Sequence, residues 1–238
     1  MHAAGQRAVR PSRIPGAGWI ALLGGGEFSF GETEAADRAW LSKTPPGMVG
    51  FLPAASGSTE YGGHFAGYLR RTFDRDAETI PIYRARDARR RKNCERLGEC
   101  AAVYLGGGVT SHLLDALRAS PALDALVEKL GEGGTVVAIA AAASSLGEVA
   151  RDLFGGGSIA GLGWLTGGVV EPNFDPSHDR RLRRLLEHPE VRWGLGLPAG
   201  SAVLLGPGGE VEVVGKVFSL ACADADLAAG IRDGGSSV

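Results

Sequence analysis

The chain has 238 residues, enough for one large domain with a substantial core and short for two. A formal net charge of -2 gives no electrostatic reason to expect nucleic acid or a membrane surface as partner. No apolar run reaches the roughly 20 residues of a spanning helix, and Met1 to Gly18, with Arg7, Arg10 and Arg13, lacks the apolar stretch of a secretion signal. Cys94, Cys100 and Cys222 cannot all pair and have no metal-ligand spacing, so reduced thiols in a cytoplasmic protein without metal or cofactor are expected.

In chain order, residues 1–18 read as a flexible arm, residues 19–230 as a single α/β domain and residues 231–238 as a flexible tail. Trp19 to Leu23 is an apolar strand ending in Gly24-Gly25-Gly26-Glu27-Phe28. Glu34 to Leu41 has a helical pattern, and Met48 to Leu52 is a second strand stopped by Pro53. Ser58 to Phe73 spaces Tyr61, Phe65 and Tyr68 three or four apart, on one helical face. Thr79 to Tyr83 reads as a third strand and the charged Arg84 to Arg96 as a solvated helix. Ala101 to Leu105 is a fourth strand, halting at Gly106-Gly107-Gly108, and Ser111 to Arg118 is again helical. Thr135 to Ala140 is a buried strand, with a helix expected over Ser144 to Phe154. Ser201 to Leu205 and Val211 to Val214 alternate in polarity around Pro207-Gly208-Gly209, which predicts an antiparallel hairpin at the far edge of a sheet.

Unbroken apolar strands alternating with helices predict a three-layer, doubly wound, mostly parallel sheet covered on both faces. Sites in such sheets form beyond the carboxyl ends of the strands, so loops 24–28, 106–110 and 140–145 are expected to converge. The segment Gly133 to Gly147 turns from strand to helix with only small side chains at the corner, the form of a nucleophile elbow. Ala138 and Ala142 meet the steric demand two residues either side of the nucleophile position. That position itself is Ala140, whose methyl group cannot attack a carbonyl. Gly24 to Gly26 and Gly106 to Gly108 could offer backbone N–H groups to an anion or oxyanion. Alternatively, they simply allow sharp turns after buried strands. Neither fits the phosphate-cradling Gly-x-x-x-x-Gly-Lys pattern.

Tyr104-Leu105-Gly106-Gly107-Gly108, followed by His112 to Leu117, resembles the glycine loop and helix of the cyanophycinase and dipeptidase E family of serine peptidases. The elbow is similar to that family's Gly-Thr-Ser-Ala-Gly-Ala motif. So are the opening strand with Gly24 to Glu27, the segment Phe51 to Ser56 and the hairpin near 196–215, which extends the resemblance over roughly 19 to 219. It implies a class I glutamine-amidotransferase-like, flavodoxin-like fold and acyl transfer on aspartyl or β-aspartyl peptides. It also implies an oxyanion held by Gly106, Gly107, Gly108 and the N–H of Ala141. The family's nucleophile falls on Ala140. Its Asp-Gln-His-Phe-like stretch falls on Glu171-Pro172-Asn173-Phe174, which puts Asn173 at the base position. A neutral amide has no useful basicity near pH 7. The acidic third member is left between Glu171 and Asp175.

The resemblance with both groups replaced implies a non-catalytic homologue that keeps the fold and glycine loop for binding, regulation or assembly. One alternative is an active hydrolase using Ser144 or Ser145 with His178, His64 or His112 as base. Against it, Ser144 and Ser145 stand where N-capping residues do, with Glu148 placed to close a capping box from Ser145. A second alternative is a structural partner of an active paralogue. The partners expected are a peptide or small anionic ligand and, as is common in the family, a second copy of the chain. The Arg-rich stretches Arg84–Lys92 and Arg180–Arg184 read as solvated helix faces, the second leaving room for an anionic ligand.

Overall fold

The structure, a computed structural model, describes residues 9–222. Its main sheet has seven strands: β1 (Trp19–Leu23), β2 (Val49–Leu52), β3 (Ala77–Thr79), β4 (Ala102–Leu105), β5 (Thr135–Ile139), β10 (Ala202–Leu205) and β11 (Val211–Val214). Their order is β11-β10-β1-β5-β4-β2-β3. The five strands from β1 to β3 run parallel, while β10 and β11 form the antiparallel hairpin at one edge. Helices α1 (Glu34–Ser42), α2 (Tyr61–Phe73), α3 (Arg91–Glu99), α4 (Thr110–Leu117) and α5 (Pro121–Gly131) cover it.

Alternation along the strands builds two cores. Ala21, Leu23, Phe51, Tyr104, Val137 and Ile139 face Trp40 of α1 and Phe65, Tyr68 and Leu69 of α2. Ile20, Leu22, Val103, Leu105, Val136 and Ala138 face Leu97 of α3, Leu113 and Leu117 of α4, and Leu126 and Leu130 of α5. A strand with both faces buried has no polar side, which is why these runs are continuously apolar. Within the aromatic core, fully buried Asp37 accepts hydrogen bonds from Thr33 Oγ1, Trp40 Nε1 and Tyr68 Oη at 2.7–2.9 Å. Burial nevertheless raises its carboxyl above the ordinary value, so desolvation outweighs those three donors.

A second, three-stranded sheet carries β8 (Gly168–Pro172), β9 (Trp193–Leu197) and β12 (Phe218–Ala221) in the order β12-β9-β8. Helix α7 (Arg180–Leu186) packs on it through Leu182 and Leu185 against Val169, Phe174 and Val191. Strands β6 (Val149–Arg151) and β7 (Ser158–Ala160) form a separate hairpin.

Three expectations are corrected. First, no helix runs over Ser144 to Phe154: α6 (Ala141–Ser145) stops after five residues. Leu146 O then accepts from Trp164 N and Leu165 N, Gly147 O accepts from Gly163 N, and the chain enters the β6–β7 hairpin. Second, residues 84–89 form turns, not helix. Buried Asp87 fixes them by accepting from Tyr83 N and pairing with Arg90 at 3.4 Å, so α3 starts only at Arg91. Third, the strand expected over Thr79 to Tyr83 lies earlier, because Pro81 cannot donate to a ladder. Residues 9–18 lie against the core. Arg13 donates to the carbonyls of Ile14, Gly16, Gly18 and Gly206, Ile14 N donates to Trp164 O, and Val9 and Ile14 pack on the core. Residues 1–8 and the expected tail 231–238 lie outside the described residues.

Candidate active-site cavity

Sheet register sets the position of the site. Leu23 of β1 pairs with Ile139 of β5, and Leu105 of β4 pairs with Ala138, so three adjacent parallel strands end side by side. Their loops meet as expected. Ala140 N donates to Leu23 O at 2.9 Å, Asn173 N donates to Gly24 O at 2.7 Å, and a Cβ built on Gly107 would stand 3.4 Å from the Ala140 Cβ.

Ala140 occupies the corner between β5 and α6 at φ 52°, ψ -117°. An L-residue enters that region only when its surroundings enforce it, at a cost of about 1–3 kcal/mol. Among the described residues, the non-glycine residues with positive φ are Asp74, Ala119, Ala140 and Asn173, and the last two both line one cavity. Strained backbone thus stands at the position that the family resemblance makes the nucleophile, while Asn173, at the base position, is a residue type that tolerates positive φ. Ala140→Gly is expected to raise stability by about 1 kcal/mol, because glycine takes this backbone without strain. Urea unfolding checks this, and a loss of stability would show the corner to be relaxed.

The cavity encloses about 260 Å³ between Gly108 and Thr110 on one side, Ala140, Ala141 and Ser144 below, and Glu171, Pro172, Asn173, Arg151, Leu153 and Arg181 opposite. Gly108 (φ 147°) owes its identity to packing, since a Cβ there would meet the Ala55 carbonyl at 2.4 Å. A Cβ on Gly106 would strike the Phe51 ring at 2.7 Å, whereas one on Gly107 would only touch Ala140. Close packing thus accounts for Gly106 and Gly108, and Gly107 is the member that opposes Ala140.

Glu171 is buried, 4.0 Å from Arg181 Nη1. Desolvation raises its carboxyl above the ordinary value, against the opposing pull of Arg151 and Arg181. Asp175, the other carboxylate considered, does not line the cavity. It is exposed, accepts from Ser177 N and pairs with His178 Nδ1 at 2.7 Å, and that His178 contact is the main reason its carboxyl is lowered.

Neither serine caps a helix as expected. Ser145 Oγ donates back to Ala141 O at 2.8 Å, within α6, and Glu148 Oε1 accepts from Gly167 N, so no capping box forms. The capping signature is overridden because α6 begins three residues before Ser144. Ser144 lines the cavity one turn beyond Ala140. No histidine among the described residues lines the cavity with it. His178 is turned to Asp175, His112 is exposed against Phe154, and His64 lines a separate depression with Glu27 and Tyr61. Cys94, Cys100 and Cys222 are free thiols outside the cavity. Burial pushes Cys100 up to about 11, far from a reactive thiolate. No cluster of three or more His, Cys, Asp or Glu among the described residues is arranged to hold a metal. Among them, too, no helix is long and apolar enough to cross a membrane.

A doubly wound sheet whose central strand turns through a strained corner opposite a glycine loop defines an α/β, peptidase-like protein. Residues 20–209 match the profile of Peptidase family S51, and the chain belongs to that family. A peptidase from an acI-B1 Actinobacterium superposes with a TM-score of 0.69 at 22% identity, over 88% of this chain and 94% of the other. A protein assigned as peptidase E in Listeria monocytogenes EGD-e gives 0.61 at 16% identity, over 83% and 98%. Both likenesses establish the fold. No curated protein matches the chain by sequence.

Proposed function

We propose that the chain is a non-catalytic member of family S51 that retains the cavity above Ala140 for binding a peptide or small anionic ligand. One observation carries the reading: the residue held in the strained corner is an alanine, in a cavity that no described histidine lines. Acyl transfer needs an attacking oxygen or sulfur and a group to take its proton. Neither Ala140 nor the amide of Asn173 supplies one. The family fold, by contrast, is kept, which favours retention for binding or assembly over drift toward an unrelated fold.

The test is turnover of β-aspartyl dipeptides by the purified chain. No release above the buffer blank is expected, and Ser144→Ala is expected to change nothing. Measurable turnover abolished by Ser144→Ala would establish the active-hydrolase alternative, for which the specific support is that Ser144 shares the cavity with buried Glu171. A cytoplasmic location and assembly with a second copy or with a paralogue belong to the same proposal. Size-exclusion chromatography with light scattering reads the assembly.

A further inference from the structure

A groove of about 560 Å³ lies beside the cavity, between the β6–β7 hairpin and α7, and shares Arg151, Leu153 and Arg181 with it. Four guanidinium groups line it: Arg151, Arg180, Arg181 and Arg184. The acidic residues along it are Asp152, whose Oδ1 already accepts from Phe154 N, and Glu187.

Arginines elsewhere in the protein are mostly engaged. Arg38, Arg70, Arg90, Arg91, Arg96 and Arg183 pair with carboxylates, and Arg13, Arg75, Arg89, Arg118 and Arg192 donate to backbone carbonyls. Among the described residues, Arg151, Arg180 and Arg184 have neither kind of partner. Arg181 reaches Glu171 only at 4.0 Å. His188, whose buried Nδ1 has no hydrogen-bond partner, also lines the groove. Like charges gathered around a concave surface repel one another, and the nearby carboxylates, Asp152, Glu187 and Glu171, are fewer than the arginines.

We infer that the groove binds an oxyanion, a phosphoryl group or a set of carboxylates. Guanidinium forks pair with such oxygens bidentately, which a point charge such as lysine cannot do. The carboxylates near the four arginines are Asp152, Glu187 and, beside Arg181, Glu171, so the arginines are in excess. Because the groove and the cavity share Arg151, Leu153 and Arg181, one molecule can place its anionic end here and its body over Ala140. A ligand with a cationic end in this position is disfavoured by the same charges.

The inference stands whether or not the cavity is catalytic, since its readout is binding and not turnover. The experiment is isothermal titration calorimetry of the full chain with inorganic pyrophosphate and, separately, with citrate, at low ionic strength. Saturable binding of at least one is expected, pyrophosphate alone indicating a phosphoryl ligand and citrate alone a carboxylate one. Affinity is expected to fall as salt shortens the screening length. Arg180→Gln with Arg184→Gln is expected to weaken binding about tenfold or more, as loss of charge-assisted hydrogen bonds does. Both side chains are exposed, so the melting temperature serves as the folding control. Arg71→Gln with Arg84→Gln, which removes two partnerless arginines elsewhere, is expected to leave binding intact. Binding of neither anion, or equal weakening by the two double variants, would overturn the inference.

Discussion

Gly24→Ala is expected to destabilise the protein by about 3 kcal/mol, at the upper end of what overpacking costs when the surroundings cannot yield. A Cβ at Gly24 would fall 2.1 Å from Pro198 O and 2.4 Å from Leu197 O, both backbone atoms of the second sheet and the loop after it. Two hydrogen bonds leave no slack: Gly24 N donates to Ser201 O, and Gly24 O accepts from Asn173 N. The substitution would therefore push the smaller sheet away from β1 and open the wall that carries Glu171 and Asn173. Urea unfolding measures the loss. A change below about 1 kcal/mol, the level of an ordinary surface substitution with slight strain, would mean that the sheets are not locked together at this point.

Ala140→Ser combined with Asn173→His is expected to restore little catalysis. Its kcat/KM on β-aspartyl dipeptides should remain about a thousandfold or more below that of a family member with both groups intact, the scale of loss when triad geometry is missing. A base works only when a second group fixes its ring and tautomer. Asn173 is exposed, and its side chain has no hydrogen-bond partner among the described residues. The carboxylate within reach along the strand, Glu171, lies under the influence of Arg151 and Arg181 and is not free to orient an imidazole. The oxygen would sit correctly, because the elbow still holds its angles. Recovery to within about tenfold of an intact enzyme would show that the supporting contacts survive, since each missing orienting hydrogen bond costs roughly that much.

The central strands of the main sheet were legible because they are buried on both faces and read as unbroken β-branched or leucine runs, from Trp19 to Leu23 and from Thr135 to Ile139. The elbow was legible for a different reason: a run of alanines at a strand–helix corner has few other steric explanations. The second sheet left almost no such signal. Its strands contain Gly168, Gly194 and Gly196, which lower strand propensity. The structure explains them, since a Cβ on Gly168 would meet the Trp193 ring at 2.1 Å and one on Gly196 the Phe174 ring at 2.6 Å. Gly168 and Gly196 make room for aromatic rings, and Gly194 for the Leu182 side chain of α7, relations that no local pattern reveals.

Two other elements did carry local signals. Helix α5, absent from the elements expected above, begins with Ser120 accepting from Leu123 N and with Pro121 in the first turn, a plain start signal. The β6–β7 hairpin is marked by Gly155-Gly156-Gly157 between two short apolar runs. The helical period after Ser144 competed with that signal, and Gly147 followed by Val149 decided against it. The arginine groove was only half legible. The charge run Arg180 to Arg184 is visible in the sequence, but Arg151 joins it only through the fold, and what leaves these groups unpaired is their tertiary setting.

The account rests on the absence of a working nucleophile at the strand–helix corner. The most direct measurement is the intact mass of the full chain after incubation with a fluorophosphonate that acylates activated serines. The expected result is an unshifted mass at every time point. A stoichiometric adduct, mapped by peptide mass spectrometry to Ser144 or any other serine, would contradict it.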